Sequence, residues 1–155
     1  MKEKIYIAHR GNTVGKFESY ENEPAYIDKA ISEGFDVEVD VWYVDGIWYL
    51  GHDKPQYGIP FEWITKRKNV LWVHCKNMEA LRKLSELNSK KVDINFFWHE
   101  KDTAALTSVG YIWCYPGKQA LGGSIAVLPE IYNDNTSFCN GICSDYIQKY
   151  KEEGK

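Results

Sequence analysis

Long apolar runs are missing from this chain. Nothing approaches the ~18 consecutive hydrophobic residues a membrane span needs, and the run Ile5–Ala8 is too short for a secretory signal. These absences predict no integral membrane association and a cytoplasmic location. A strong charge of one sign is missing too. The formal net charge is −3, and the basic clusters Lys66-Arg-Lys68 and Lys90-Lys91 read as solvated turn or helix ends, which argues against a nucleic-acid partner. Cysteines number only four, and their spacing, Cys139-x-x-x-Cys143 included, matches no zinc pattern, so reduced thiols are expected. There is no Gly-rich phosphate fingerprint, since Gly122-Gly123 is only a turn signal. No repeat, low-complexity tract or linker divides residues 1–155, which are expected to form one domain.

What is present is the composition of a folded core, 44% hydrophobic and 26% charged. Aromatic residues reach 15%, with six tryptophans, and core filling accounts for most of them. Short runs rich in β-branched and aromatic residues recur at Ile5–Ala8, Asp36–Tyr43, Ile47–Leu50, Val70–His74, Val92–Trp98, Tyr111–Tyr115, Ser124–Leu128 and Gly141–Ser144. Helix-like segments lie between them. Glu23–Glu33 has Pro24 near its start and Gly34 as a stop, and Met78–Leu87 follows Asn77, a good N-cap. Shorter candidates are Phe61–Lys66, Thr103–Ser108 and Asp145–Lys151.

Strands alternating with helices predict a parallel sheet with crossovers. In Asp36-Val-Glu-Val-Asp-Val41 the acids share one face and the valines the other, whereas a sheet between two helix layers wants both faces apolar. Ile5, Ile7 and His9 share a face by the same parity, as do Trp72, His74 and Lys76. A polar inner face at strand carboxyl ends suits a TIM-type (β/α) barrel, trimmed or incomplete because a full one needs at least ~200 residues. An open doubly wound sheet is the runner-up. Val44-Asp45-Gly46 reads as a three-residue hairpin loop after the second strand, pairing Tyr43 with Ile47 and carrying Glu38 opposite His52. A two-residue loop would instead set His52 opposite Val39 and turn the imidazole away.

All four histidines (His9, His52, His74, His99) fall at ends of β-like runs, as catalytic residues do at a barrel's mouth. Glu38 and Asp40, two residues apart on one strand, suit a hard divalent cation such as Mg²⁺ or Ca²⁺. Such an ion neutralises a phosphate while two imidazoles act as general base and general acid. Arg10 or Lys76 would steady the developing charge. Trp98 and His99, at the end of another run, are candidate substrate contacts. The alternative is a buried ion network without activity, costly unless it serves a purpose.

At these residues the chain resembles the glycerophosphodiester phosphodiesterase family, within the phospholipase-C-like phosphodiesterases built on (β/α) barrels. The matching pieces are His9-Arg10-Gly11, Glu21-Asn22, Gly34, Glu38-x-Asp40 and His52-Asp53, with Gly141-Ile-Cys-Ser-Asp-Tyr146 similar to the family's closing segment. The resemblance implies a hydrolase of lipid metabolism that cleaves a small phosphodiester. It implies His9 and His52 as the acid–base pair, Arg10 on the phosphate, and Glu38 and Asp40 as metal ligands. The family's third ligand comes from a Glu-x-Lys, where this chain reads His74-Cys-Lys76. Ligation by His74 would move the preference toward Mn²⁺ or Zn²⁺. Without metal, the site would be a phospholipase-type lyase or a non-catalytic phospho-ligand module.

Overall fold

Alternation within the strands builds two apolar layers, one on each side of a single curled sheet. The computed structural model describes residues 3–118 and 122–154. In β2 (Asp36–Val44), Val37, Val39 and Val41 are wholly buried in the outer layer. There they meet Ile27 and Ala30 of α1 (Pro24–Ser32), Ile64 of α2 (Phe61–Thr65), Ala80 and Leu84 of α3 (Met78–Ser89) and Ile147 of α4 (Ile147–Glu152). The buried residues of the inner layer all come from strands: Ile7 of β1 (Ile5–His9), Trp72 of β5 (Leu71–Cys75), Phe97 of β6 (Phe96–Phe97), Trp113 of β8 (Ile112–Cys114), Ile125 and Val127 of β9 (Ser124–Val127), and Cys143 of β10 (Gly141–Ser144).

Parallel pairing runs β6-β5-β2-β1-β10-β9-β8. Antiparallel strands extend it: β3 (Ile47–Leu50) on β2, β4 (Tyr57–Ile59) on β3, and β7 (Ala104–Leu106) on β8. The expectation of a TIM-type (β/α) barrel is therefore corrected. The described residues form a mixed ten-stranded sheet curled into a half-barrel, with four short helices. The reason lies in the connections. Between β9 and β10 the chain makes only a 3-10 turn at Pro129–Ile131, and Thr103–Ser108, expected as a helix, supplies β7 instead. Helices thus flank the β1-β2-β5 side and not the β7-β8-β9 side.

The Val92–Trp98 run delivers only a two-residue strand. Lys91 (φ 64°) and Asp93 (φ 63°) bend the chain, and side chains replace the ladder at Ile94, whose N–H donates to Asn88 Oδ1 at 2.8 Å and whose carbonyl accepts from Asn88 Nδ2 at 2.7 Å. The Asn77 cap forms as expected, accepting from the Ala80 N–H at 3.1 Å. Asn77 also bonds both backbone polar groups of Tyr43, tying the start of α3 to the end of β2.

The hairpin register also differs from expectation. The loop is two residues, Asp45 (φ 49°) and Gly46 (φ 80°), a turn whose twist matches the flanking strands, and Val44 pairs with Ile47. On an unbroken strand this register would turn His52 away. The strand instead ends at Leu50, and Gly51 takes φ 149°, donating its N–H to the Asp40 carbonyl at 3.1 Å and accepting from Trp42 Nε1 at 2.7 Å. A Cβ at this position would collide with the Lys54 carbonyl. The chain leaves the strand here, and His52 reaches the inner side.

Candidate metal and acid–base site

His9, Arg10, Glu38, His52, His74, Lys76, Trp98 and His99 all line one cavity of about 340 Å³ at the carboxyl ends of the parallel strands. Asp40 lies beneath it, fully buried. Trp113, Tyr115, Val127 and Leu128 supply an apolar wall. Trp98 does double duty, since it also packs against the outer apolar layer.

Glu38 and Asp40 are both buried, yet their surroundings differ. Asp40 Oδ2 accepts from Asn22 Nδ2 at 2.9 Å and lies 3.0 Å from Arg10 Nε, while Oδ1 lies 3.1 Å from His74 Nδ1 and 3.9 Å from Lys76 Nζ. Burial opposes the charge on Asp40, but the His74 hydrogen bond and the Arg10 charge outweigh it and hold the carboxyl well below its usual range. At Glu38 the balance reverses, because burial and Asp40 outweigh the charges of His9, Arg10 and His74. Its Oε2 is buried without a hydrogen-bond partner, 3.8 Å from His9 Nε2, and burial together with the Asp40 charge pushes its carboxyl up. Arg10 instead gives its Nη1 hydrogen bond to Glu21 Oε2 at 3.0 Å.

Glu38, Asp40 and His74 present ligand atoms within 4.8 Å of one another. An orphaned carboxylate oxygen beside a second carboxylate and an imidazole suits a divalent cation. These residues therefore fit a divalent ion.

The two candidate acid–base histidines are tuned in opposite directions. Burial lowers the proton affinity of His9, but the hydrogen bond from Nδ1 to Asp145 Oδ1 (2.7 Å) and the Glu38 charge more than offset it, so its pKa is raised. His52 is half exposed at the rim, and partial burial and the Arg10 charge lower its pKa despite the bond to Asp53 Oδ1 at 2.8 Å. His99 is depressed further, to about 4, by burial and by His74, so it is neutral at physiological pH and contributes shape rather than charge.

Sequence reading attached no role to Asp145 or Asn12. Asn12 Nδ2 donates to the same Asp145 oxygen at 2.9 Å, and the Asp145 N–H donates to Glu130 Oε1 at 3.3 Å, so the His9 partner is held from two sides. The signal available was the Ser144-Asp145 pair at the end of β10; its use required knowing that β10 lies beside β1. Among the described residues, no helix is long and apolar enough to cross a membrane. Comparison of the chain with protein-family models, curated proteins and solved structures gives no match.

Proposed function

We propose that this chain is a metal-assisted phosphoric diester hydrolase that cleaves a small glycerophosphodiester-like substrate. The observation that carries the reading is the meeting, in one cavity, of the unpartnered Glu38 Oε2, the His9 Nε2 beside it and the imidazole of His52. The resemblance of the His-Arg-Gly, Glu-x-Asp and His-Asp segments to the phosphodiesterase family supports the same chemistry.

Opposed pKa shifts assign the roles. His52, pushed toward its neutral form, accepts the proton of the attacking water or neighbouring substrate hydroxyl as the new P–O bond forms. His9, whose raised pKa favours its protonated form, donates Nδ1–H to Asp145 and gives its Nε2 proton to the departing alkoxide as the old P–O bond breaks. Lys76 and Arg10 bring positive charge to the cavity where a phosphate would enter above Asp40. A divalent cation held by Glu38, Asp40 and His74 would supply charge neutralisation of the phosphate. Trp98 and the apolar wall leave room for the alcohol arm of the substrate. Buried thiols at Cys75, Cys139 and Cys143 support a reducing, cytoplasmic setting.

The test is release of glycerol phosphate from glycerophosphodiesters by metal-stripped protein supplied in turn with Mg²⁺, Ca²⁺, Mn²⁺ and Zn²⁺. Turnover with a divalent ion, abolished by His9→Ala and by His52→Ala, is the expected result. Substrate binding by calorimetry without turnover under any ion would leave a binding module. Cyclic phosphate accumulating in excess chelator, seen by phosphorus NMR, would make the protein a metal-free lyase.

A further inference from the structure

We infer that His74 makes the centre a mixed nitrogen–oxygen site that selects transition cations of the Mn²⁺ and Zn²⁺ kind over Mg²⁺ and Ca²⁺. This rests on the proposed metal site at Glu38 and Asp40 and concerns which ion that site takes.

The imidazole of His74 is held at both nitrogens. Nε2 lies 3.3 Å from the His99 carbonyl oxygen, which leaves Nδ1 as the nitrogen turned toward the carboxylates. Nδ1 points at the carboxylates, hydrogen-bonded to Asp40 Oδ1 at 3.1 Å and 3.9 Å from Glu38 Oε1. The three ligand atoms of Glu38, Asp40 and His74 lie within 4.8 Å of one another, close enough for a single cation to bridge them. A backbone carbonyl fixing the far nitrogen is how proteins orient a ligating histidine and raise its basicity.

The plane of the ring is fixed as well. It lies parallel to His99 at 4.5 Å between centroids (5°) and to Phe97 at 5.1 Å (6°), two residues that stand two apart along the neighbouring segment. His99 is itself met edge-on by Tyr115 at 4.8 Å. Stacking on this scaffold holds Nδ1 toward the carboxylates before any ion arrives.

Charge and donor chemistry then set selectivity. Ca²⁺ collects six to eight oxygens and Mg²⁺ an octahedron of oxygens, whereas imidazole nitrogen suits first-row transition ions. An imidazole in place of a third carboxylate also removes one negative charge from the ligand set, which weakens attraction for hard ions most. His74 thus converts an oxygen-rich pair into a centre for a softer ion.

The test uses the full-length, metal-stripped protein. Calorimetric titration with Mn²⁺, Zn²⁺, Mg²⁺ and Ca²⁺ is expected to give binding at least about tenfold tighter for the first two than for the last two. Electron spin-echo envelope modulation of the Mn²⁺ form is expected to show one directly bound imidazole ¹⁴N, lost in His74→Gln, and His74→Glu should narrow the selectivity by strengthening Mg²⁺ and Ca²⁺. The wild-type spectrum decides even if a variant fails to fold. Mn²⁺ bound without nitrogen coupling, or Mg²⁺ or Ca²⁺ bound as tightly as Mn²⁺, would overturn this inference and leave the hydrolase reading standing. No binding of any of the four ions would overturn both.

Discussion

His9 Nδ1 lies 2.7 Å from Asp145 Oδ1, a contact between the first strand and the residue that follows the last. Parallel pairing of Ala8 with Ser144 brings the two together across 136 positions of sequence. A carboxylate accepts, so the Nδ1 proton is committed to Asp145 and Nε2 faces the cavity. Asp145 is therefore a positioning residue for the proposed general acid.

Asp145→Asn should remove most of that control. Without the carboxylate, His9 loses its largest source of raised proton affinity, so the descending limb of the pH–rate profile is expected to move to lower pH. Turnover should fall by about 10²-fold or more, while KM changes little. An unchanged limb would show that Asp145 only fills space.

The opposite tuning of the two histidines predicts a bell-shaped dependence of kcat/KM on pH. His52, lowered from 6.5, gives an ascending limb on the acid side of that value, and His9, raised from 6.5, gives a descending limb on the alkaline side. A plateau around the ordinary histidine value is expected, and a profile still rising well above it would contradict the assignment.

The same His9 shift has a stability consequence in the metal-stripped protein. A folded pKa raised above the unfolded one contributes stability that is fully present below 6.5 and lost as pH rises through the folded pKa. Thermal midpoints of the wild type should fall with rising pH across that window, relative to His9→Gln measured in parallel. Parallel curves would refute the linkage.

Glu38→Gln separates stability from function. It replaces a buried carboxylate with one unpartnered oxygen by a neutral group of like shape, so the metal-stripped protein is expected to gain about 1 kcal/mol in urea denaturation. The variant should also lose any stabilisation by added divalent ions. A less stable variant would mean that the Glu38 charge is satisfied in the folded protein.

Gly51→Ala tests how His52 reaches the cavity. With φ at 149° and the Lys54 carbonyl in the way of a Cβ, the substitution is expected to cost about 2 kcal/mol. It should also cut turnover by shifting His52, with divalent-ion binding retained because Glu38, Asp40 and His74 lie on other strands. Loss of ion binding along with turnover would point to wider rearrangement.

The alternation of valines and acids in β2 was enough to assign one face to the core and one to a polar interior, because strand side chains alternate whatever the strand's neighbours. Helix α3 was legible for a similar reason: the Asn77 cap is local. Each of the nine residues expected at the site either lines the cavity or, as Asp40, lies directly under it. That much followed from where polar residues sit at the ends of apolar runs.

Other features depended on contacts distant in the chain. The half-barrel replaced the expected (β/α) barrel because a loop and a short turn, not helices, connect the later strands, and β7 paired where a helix was expected. The hairpin took the even register, and a glycine break beyond it, rather than loop length, brought His52 inward. Asp145 met His9 only because the sheet sets β10 against β1. Periodicity is written in neighbouring residues, whereas strand order and side-chain partnership arise from burial and hydrogen bonding between segments that meet only when the chain folds.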